Sequence, residues 1–342
     1  MAQLTQSEVY QRQQPIPTGL DAATTAEEVV QGVSLAGKTA IVTGGYSGIG
    51  AETVRVFVDA GCDVIVPARD VARAKEALGE LKVRIEPMDL LDAASIDAFA
   101  DRFLQADSAL DLLINNAGIM ALPKLKRDSR RLELQFATNH LGHFQLTNRL
   151  LPALSRAPSP RVVSVSSWGH HFSPVLFDDP NFLETPYDPW VAYGQSKTAN
   201  ILFALALQQR YQDQGLRAYS LHPGGIPATN LAKHLDPKMF QDLGLMDADG
   251  TLKLDPGRNW KTIPQGAATQ VWCATSPALD ALGGVYCENC DVAELESHNQ
   301  PSSLADLGQP KHEGVLPYAL DLEGAERLWE LSEKLLKQPR KS

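Results

Sequence analysis

The stretch TAIVTGGYSGIG, residues 39–50, joins a short β-branched apolar run to a glycine-rich turn. The run is typical of a buried strand, and the AETVRVFVDAG that follows has the spacing of an amphipathic helix. Gly44, Gly48 and Gly50 lie at the junction, where glycine lets backbone N–H groups at a helix N-terminus approach a pyrophosphate. The spacing is not the commoner G-x-G-x-x-G, and a glycine-rich turn alone is about as often structural. Its place between a first strand and a first helix favours dinucleotide binding.

The same order of strand and helix repeats from Leu35 onward. Continuous apolar runs between amphipathic helices indicate a parallel sheet covered on both faces. The fold class is therefore predicted as α/β, a doubly wound seven-stranded parallel sheet of the Rossmann type in a single domain. The predicted strands are residues 39–43, 63–68, 83–88, 110–118, 161–167, 216–224 and 283–287.

Three segments lie outside this alternation. Residues 1–34 are predicted to be an N-terminal extension, and residues 35–342 a single dinucleotide-binding domain of the Rossmann type. Two long stretches, at about 168–192 and 225–262, follow the carboxyl ends of predicted strands. Open α/β sheets bind ligands at those ends, and long loops in compact domains are commonly functional. We expect these loops to form a substrate pocket and its lid.

Composition excludes several classes of protein. The chain has 342 residues and a formal net charge of −10, which argues against a nucleic-acid or anionic-membrane surface. No apolar run reaches the roughly 18 residues of a membrane helix, and the polar N-terminus lacks the pattern of a secretion signal. These features predict a cytoplasmic protein. Four scattered cysteines, two of them in YCENC, form neither a disulfide framework nor a complete zinc pattern, so no metal is expected.

The end of the second strand bears on cofactor choice. An NAD site usually places an acidic residue there, but the sequence VIVPARD has Ala68 at that position, followed by Arg69. Arginine can bind a 2′-phosphate with two hydrogen bonds, which favours NADP(H) over NAD. In the alternative reading Arg69 is a solvated charge and Asp70 contacts the ribose.

Seven short motifs together resemble the short-chain dehydrogenase/reductase family. They occur in the family's order over about 250 residues, and the long gap before Tyr193 resembles the retinol-dehydrogenase-like branch. That branch includes protochlorophyllide reductases and WW-domain-containing oxidoreductases. The motifs are TGGYSGIG (43–50), MDL (88–90), NNAG (115–118), TNHLGHF (138–144), VVSVSS (162–167), YGQSK (193–197) and HPG (222–224).

The resemblance implies a role for individual residues. Asn139, Ser167, Tyr193 and Lys197 would form the catalytic set, and strand alternation also favours Ser167 over Ser166. Asp89 would contact the adenine, and Asn116 would support the central strand. The implied cofactor-binding residues are Gly44, Tyr46, Ser47, Gly48, Ile49, Arg69, Asp89, Leu90, Asn116, Ala117, Gly118, Tyr193, Lys197, Pro223, Gly224, Ile226 and Thr229.

The chemistry of this set follows from pKa values. Tyrosine has an unperturbed pKa near 10, and an ammonium group one helical turn away is expected to lower the pKa of Tyr193. Tyr193 would then exchange a proton with the substrate oxygen, while Ser167 stabilises the developing charge on that oxygen. The resemblance implies that Lys197 also contacts the nicotinamide ribose and that Asn139 holds a water that passes protons to Lys197.

Some features depart from the family pattern or stay open. The separation of 26 residues between Ser167 and Tyr193 suggests an inserted loop over the pocket, and Thr229 stands about one place later than the family threonine. His170 and His171 are expected to be exposed loop residues, with a contact to the pocket as the less favoured reading. Trp168 and Trp190 flank the inserted loop and are hypothesised to shape an apolar pocket. The residues His140, His143 and Phe144 are expected to serve in packing.

The predicted function is an NADP(H)-dependent oxidoreductase, an alcohol dehydrogenase or carbonyl reductase acting on CH–OH donors. The substrate would be a small molecule, a secondary alcohol, an aldehyde or a ketone, with an apolar body. Two alternatives stay open: a reductase of an activated C=C bond, and a non-catalytic NADP-sensing interaction protein on the same fold. The family implies a homo-oligomer, a dimer or tetramer, built on the predicted long helices at 133–155 and 193–211.

Overall fold

A parallel sheet organises the molecule. The computed structural model describes residues 3–232, 238, 241, 246, 247, 249–303, 306 and 313–337. The described residues form an eight-stranded sheet in the order β3-β2-β1-β4-β5-β6-β7-β8, and only the β7–β8 pair is antiparallel. The strands are β1 Thr39–Val42, β2 Asp63–Ala68, β3 Val83–Pro87, β4 Leu112–Asn115, β5 Arg161–Val165, β6 Arg217–His222, β7 Tyr286–Glu288 and β8 Asp291–Val292.

The predicted doubly wound parallel sheet is confirmed, and a short antiparallel strand adds to it. β7 and β8 are joined by Asn289 and Cys290, which both have left-handed backbone angles, with φ of 52° and 58°. Two positive φ values in a two-residue connection are those of a type I′ turn, whose twist suits a tight hairpin. The C-x-x-C of YCENC is therefore the hairpin turn itself, and all four cysteines are buried and free.

Helices cover both faces of the sheet and join successive strands. A π-helical turn, Ala137–Leu141, connects α6 to α7, and 3₁₀ turns cover Trp168–Phe172 and Pro317–Leu320. The helices are α1 Gln6–Arg12, α2 Ala26–Val30, α3 Gly48–Asp59, α4 Val71–Leu78, α5 Ala93–Gln105, α6 Leu134–Phe136, α7 Gly142–Leu154, α8 Pro189–Tyr211, α9 Ile263–Thr275 and α10 Leu322–Leu336.

Each face of the sheet has its own apolar core. Ile41 points into a core shared with α5, α7, α8 and α10, whereas its neighbours Ala40 and Val42 point into a core shared with α3 and α9. This alternation is the pleat of a strand that is buried on both sides. It explains why the strand segments are continuously apolar in the sequence.

The N-terminal extension packs onto the sheet domain. Leu4 and Val9 are buried in the core on the α8 side, and α2 packs against α9 and α3. Gln13 is fully buried: its Nε2 donates to the carbonyls of Tyr286 and Ala293, each at 2.7 Å, and its Oε1 accepts from Tyr286 N at 2.9 Å. One side-chain amide thus satisfies backbone groups at the edge of the β7–β8 hairpin.

Helix α8 begins earlier than its motif suggests. Asp188 accepts hydrogen bonds from the N–H groups of Trp190 and Val191, and Pro189 occupies the first helical turn. An N-cap aspartate followed by proline is a strong start signal. Tyr193 therefore lies one turn inside the helix, where helix geometry fixes its direction, and not at the helix start.

One of the two helices on which the homo-oligomer was expected to rest is covered by the chain itself. α8 is buried without interruption from residue 192 to residue 208, and α10 packs against it. Trp329 of α10 contacts Phe144 of α7 with ring centroids 4.8 Å apart, and the Arg210 guanidinium lies 4.4 Å from the Trp329 ring. The homo-oligomer itself stays a prediction.

Candidate active site

A cavity of about 430 Å³ opens at the carboxyl ends of β1, β4, β5 and β6. This volume lies in the range of small-molecule and cofactor sites. Asn139, Asp89 and Leu90 lie outside its lining, and the Asp89 carboxylate instead accepts the Leu91 N–H at 3.0 Å. The predicted residues that do line it are Gly44, Tyr46, Ser47, Gly48, Ile49, Arg69, Asn116, Ala117, Gly118, Ser167, Tyr193, Lys197, Pro223, Gly224, Ile226 and Thr229.

The glycine-rich turn forms one end of the cavity. α3 begins at Gly48, and its N-cap residue Ser47 makes no side-chain hydrogen bond to the helix, so the first N–H groups of α3 face the cavity. Gly44 has φ of +66°, and a Cβ at Gly50 would lie 2.5 Å from Asn116 Nδ2. Larger residues would push the turn away from β4. The turn therefore has the shape and the positive helix end that suit a pyrophosphate.

Two arginines line the cavity beyond this turn. Arg69 follows β2 as expected, and Arg73, which the sequence reasoning did not include, lies one turn further along α4. Neither guanidinium forms an ion pair with the described residues. Asp70 is the N-cap of α4 and accepts the Arg73 N–H at 3.0 Å. The carboxylate that could have bound a ribose is thus committed to the helix.

Ser167 stands on a tight turn just past β5. Its backbone is extended, with φ of −169° and ψ of 156°, and its Oγ accepts the Gly169 N–H at 3.0 Å. Ser166 points the other way and donates from Oγ to the Lys197 carbonyl at 2.7 Å. The structure therefore turns Ser167, and not Ser166, toward Tyr193. With one lone pair used by Gly169, the Ser167 hydroxyl hydrogen stays available to an oxygen in the cavity.

Tyr193 and Lys197 lie side by side on α8, and burial governs their pKa values. Lys197 Nζ is 5.5 Å from the centre of the Tyr193 ring and donates to the Val165 carbonyl at 3.1 Å. Burial raises the pKa of Tyr193 to about 12, against a lowering by the hydrogen bond with Ser167. Burial also lowers the pKa of Lys197 to about 7. The expected lowering of the tyrosine pKa by Lys197 is not found, because burial of the phenol is the larger influence and raises that pKa.

Asn139 stands behind the cavity wall. It is fully buried in the π-helical turn. Its Nδ2 donates to the Ile119 carbonyl at 3.0 Å and to Ser196 Oγ at 2.9 Å, and its Oδ1 accepts from Ile119 N at 2.9 Å. Both amide hydrogens therefore bond to protein atoms. A Cβ at Gly118 would lie 3.3 Å from Asn139 Oδ1 and 3.6 Å from Lys197 Nζ, so this glycine separates the two side chains.

His143 connects Asn139 to the glycine-rich turn. Its Nδ1 is 2.9 Å from the Asn139 carbonyl, which can only accept, so the ring proton must be on Nδ1. Nε2 then accepts from the Thr43 hydroxyl at 2.9 Å, and the Thr43 oxygen accepts the N–H groups of Asn116 and Ala117. Burial lowers the pKa of His143 to about 4, which keeps the ring neutral. His143 thus has a specific hydrogen-bonding role besides the expected packing.

Aromatic rings form the opposite wall of the cavity. Trp168, Phe172 and Trp190 pack edge to face, with successive ring centroids 5.4 Å apart, and Trp190 reaches Tyr193 at 6.4 Å. Trp260, which lies near the end of the second loop, also lines the cavity. The hypothesis that Trp168 and Trp190 shape an apolar pocket therefore agrees with the positions of both residues.

Gly169 is a further residue that the sequence reasoning missed. A Cβ at this position would lie 2.6 Å from Tyr193 Cε1 and 2.9 Å from Tyr193 Cδ1. The Cδ1–Cε1 edge of the tyrosine ring therefore packs directly against Gly169. Only the pairing of a turn after β5 with α8 creates this contact, so no local sequence signal could have revealed it.

Buried polar side chains hold the first long loop, at about residues 168–192, in place. Gln135 Nε2 donates to Tyr187 Oη and to the Pro189 carbonyl, each at 3.1 Å, and Asn181 Oδ1 accepts the Glu133 N–H at 2.8 Å. Burial raises the pKa of Glu133 to about 7, while its hydrogen bonds from backbone N–H groups at the start of α6 oppose the rise. These contacts fix the segment that leads to α8.

The second long loop closes back onto its own start. Gly225 N donates to the Asn259 carbonyl at 2.7 Å, and Lys261 N donates to the Gly225 carbonyl at 2.8 Å. Thr229 Oγ1 donates to the Ile226 carbonyl, and its methyl carbon would lie 3.1 Å from a Cβ at Gly48. Thr229 thus packs on the glycine-rich turn. Part of the predicted lid, residues 233–237, 239, 240, 242–245 and 248, lies outside the described residues.

His170 and His171 are not the exposed loop residues that were expected. Both are buried, and neither lines the cavity. His170 Nδ1 is 2.8 Å from the Ser167 carbonyl, and the His171 ring stacks on Trp168 at 4.9 Å. They pack behind the serine turn, because the 3₁₀ turn points residues 170 and 171 inward and not toward solvent.

Comparison with known proteins gives one consistent family. The model of the family described as short chain dehydrogenase matches residues 38–239. A Streptomyces lividans protein named "Probable oxidoreductase" is 42% identical over 304 residues, which cover 87% of this chain and 97% of the relative. Human retinol dehydrogenase 14 is 35% identical and covers 88% of this chain and 86% of its own. The human WW domain-containing oxidoreductase is 35% identical, with 93% of this chain and 72% of its own covered.

A solved structure agrees with these relatives. The crystal structure of an uncharacterised protein from Mycobacterium paratuberculosis superposes with a TM-score of 0.65 at 33% identity, covering 90% of this chain and 97% of the other. The expected family resemblance and its branch are confirmed. Over the described part of the chain, every helix is too short or too polar to cross a membrane.

Proposed function

The chain belongs to the short-chain dehydrogenase family, and from that premise we propose that it interconverts an alcohol and a ketone or aldehyde with NADP(H). One observation carries the proposal. Ser167 and Tyr193 line one cavity side by side, near enough for Ser167 to lower the pKa of the Tyr193 phenol, and the far end of that cavity is the N-terminus of α3. Tyr193 can donate a proton to a carbonyl oxygen, and Ser167 beside it can hydrogen-bond to the same oxygen. The N-terminus of α3 in the same cavity suits the anionic part of a cofactor.

Tyr193 is the proposed proton donor for reduction. The raised pKa of Tyr193, about 12, keeps its phenol protonated at neutral pH. Ser167 supports the substrate oxygen by a second hydrogen bond while negative charge develops on it. The pKa of Lys197, about 7, lets that lysine release and regain a proton near neutrality and so restore the phenol. In oxidation the same groups work in reverse.

The cofactor is proposed to lie along the cavity from Arg69 to Tyr193. When bound, NADPH supplies the hydride to the carbonyl carbon. The N–H groups at the start of α3 suit its pyrophosphate, and Arg69 with Arg73 suits a 2′-phosphate. Asp70 is engaged as the N-cap of α4, which speaks against NAD as the preferred cofactor. Contacts of Asp89 and Leu90 with the adenine stay a prediction.

The substrate is proposed to have a flat apolar body. Trp168, Phe172, Trp190 and Trp260 line the cavity beside Tyr193 and offer aromatic surface with few charges. A homo-oligomer and a cytoplasmic location stay predictions, and an oligomer interface would have to lie away from α8, which the chain buries itself.

The experiment is a substrate panel. NADPH and NADH oxidation is measured with ketones, aldehydes and enones for the wild type, Tyr193→Phe and Ser167→Ala. We expect carbonyl turnover with NADPH that falls at least about 10²-fold in Tyr193→Phe, since general acid catalysis contributes about 10²- to 10⁴-fold. Turnover of enones alone would favour the C=C reductase. Tight NADPH binding without any turnover would favour an interaction protein.

A further inference from the structure

We infer that His170 is a positioning residue that holds the Ser167 turn against the C-terminal segment, residues 313–318. The inference rests on the proposed oxidoreductase function, because Ser167 is the group it is argued to position. His170 is fully buried and lies outside the cavity lining, so it acts through Ser167 and not by touching a ligand.

The imidazole of His170 bridges two chain segments that are far apart in sequence. Its Nδ1 is 2.8 Å from the Ser167 carbonyl, and its Nε2 accepts the Leu316 N–H at 3.3 Å. The first contact fixes the residue that carries the catalytic hydroxyl. The second fixes the segment just before α10.

The two partners determine the protonation state of the ring. The Ser167 carbonyl can only accept, so Nδ1 carries the proton, and the Leu316 N–H can only donate, so Nε2 does not. A second proton on Nε2 would face the Leu316 N–H and break that bond. Burial, with the neighbouring His171 and His222, also lowers the pKa of His170 well below its usual value. A neutral His170 with one fixed tautomer is thus built into the fold.

The His170 carbonyl makes a further bond to the C-terminal segment. It accepts the hydroxyl of Tyr318 at 2.7 Å. The Thr198 hydroxyl of α8 lies 3.2 Å away, but its one hydrogen has a nearer acceptor, the Ser173 carbonyl at 2.7 Å. The backbone and the ring of His170 therefore both connect the serine turn to the C-terminal segment.

The C-terminal segment is anchored on its other side near the second loop. Gly314 N donates to Glu288 Oε1 at 2.8 Å, and Asn289 Nδ2 donates to Glu313 Oε1 at 3.1 Å. Asn289 Oδ1 in turn accepts from the buried ammonium of Lys261 at 2.6 Å. Lys261 lies where the second loop returns to Gly225. Residues 313–318 therefore tie the base of that loop to the serine turn, and His170 is the link at the serine end.

The first test compares variants of two adjacent buried histidines. His170→Phe keeps the size of the ring and removes both hydrogen bonds, whereas His170→Asn can still donate to the Ser167 carbonyl. His171→Phe is the matched control, because the adjacent His171 ring is also buried, stacks on Trp168 and places its Nε2 3.2 Å from the Gly314 carbonyl. We expect kcat to fall 10- to 100-fold in His170→Phe with unchanged NADPH affinity, to recover at least fivefold in His170→Asn, and to change less than threefold in His171→Phe.

The second test removes the backbone donor. Leu316 has φ of −75°, which proline accepts, so Leu316→Pro removes the N–H and places the proline Cδ where that hydrogen faced His170 Nε2. Leu316→Ala loses the same buried side chain and keeps the N–H. Hydrogen–deuterium exchange of residues 166–173 gives a readout that does not depend on turnover. We expect faster exchange and a lower kcat in Leu316→Pro than in Leu316→Ala.

The outcomes separate this inference from the proposed function. Wild-type protein without carbonyl turnover overturns the function, and the exchange comparison then still decides whether His170 and Leu316 hold the serine turn. Active wild type with equal kcat and equal exchange in Leu316→Pro and Leu316→Ala overturns the inference. Equal losses in His170→Phe and His171→Phe, without recovery in His170→Asn, also overturn it, since they indicate general docking of the C-terminal segment.

Discussion

Replacing Gly169 by alanine should impair catalysis chiefly through Tyr193, with a weaker contact at Ser167 Oγ, which would lie 3.3 Å from the new Cβ. The added Cβ would lie 2.6 Å from Tyr193 Cε1, whereas non-bonded carbon atoms settle about 3.5–4.0 Å apart. The phenol ring must therefore retreat by about 1 Å. Gly169 is not among the residues with a positive φ, so alanine brings no backbone strain and the effect is steric.

The size of the effect follows from that displacement. A misplacement of about 1 Å in a catalytic group costs on the order of 10² in rate. Overpacking a buried contact costs about 1–3 kcal/mol of stability. We therefore expect kcat for carbonyl reduction to fall about 100-fold, with an NADPH dissociation constant within about threefold of wild type, because the glycine-rich turn lies at the other end of the cavity.

The assay is steady-state reduction of the best ketone of the panel, with thermal unfolding of each variant. Gly257→Ala is the control, since this exposed glycine lies in the second loop and its Cβ would meet only Asp255 Oδ1, at 3.3 Å. In a Tyr193→Phe background, Gly169→Ala should cost little more, because contacting residues are not additive. A folded Gly169→Ala variant with wild-type kcat would refute the reasoning.

Three further predictions test other parts of the site. The double change Arg69→Ala and Arg73→Ala should raise the KM for NADPH about 10- to 100-fold, since hydrogen bonds to charged groups are worth about 1.5–3 kcal/mol. The KM for NADH should stay unchanged. Equal effects on both cofactors would contradict the proposal that these arginines bind the 2′-phosphate. Burial raises the pKa of Glu133 from 4.5 to about 7, so the native protein binds this proton more tightly, and the stability that Glu133 contributes is lost as pH rises from about 4.5 to 7. The buried histidines His140, His143 and His170 have lowered pKa values and act in the opposite sense, so the wild type is compared with Glu133→Gln at each pH. In urea unfolding, the free energy of unfolding of the wild type minus that of Glu133→Gln should be smaller at pH 8 than at pH 5, and an unchanged difference would contradict the raised pKa. Trp190→Ala should raise the KM for bulky apolar ketones about tenfold, because a tryptophan buries on the order of 150–250 Å² of surface. The KM for small ketones should stay unchanged. A uniform change of KM across ketone sizes would argue against an apolar wall at Trp190.

The predictions for His170, His171 and Tyr193 were wrong for the same physical reason, which is burial. His170 and His171 stand in a loop by sequence, and loop histidines are commonly exposed, yet the 3₁₀ turn after β5 places them beneath the C-terminal segment. The pKa of Tyr193 was expected to fall because a lysine stands one turn away. Burial of both groups reversed the direction, and burial is a property of everything packed around α8.

The sequence alone determined the order of elements and the glycine-rich turn, and the family resemblance pointed to Asn139, Ser167, Tyr193 and Lys197. The first two are local or periodic properties: apolar runs, and glycines where backbone must come close. Only the tertiary structure decided which residues stand behind them. Gly169 against the Tyr193 ring, Arg73 beside Arg69 and His170 between Ser167 and Leu316 all depend on contacts between separate elements. Such contacts arise from packing in three dimensions, and a one-dimensional pattern carries no trace of them.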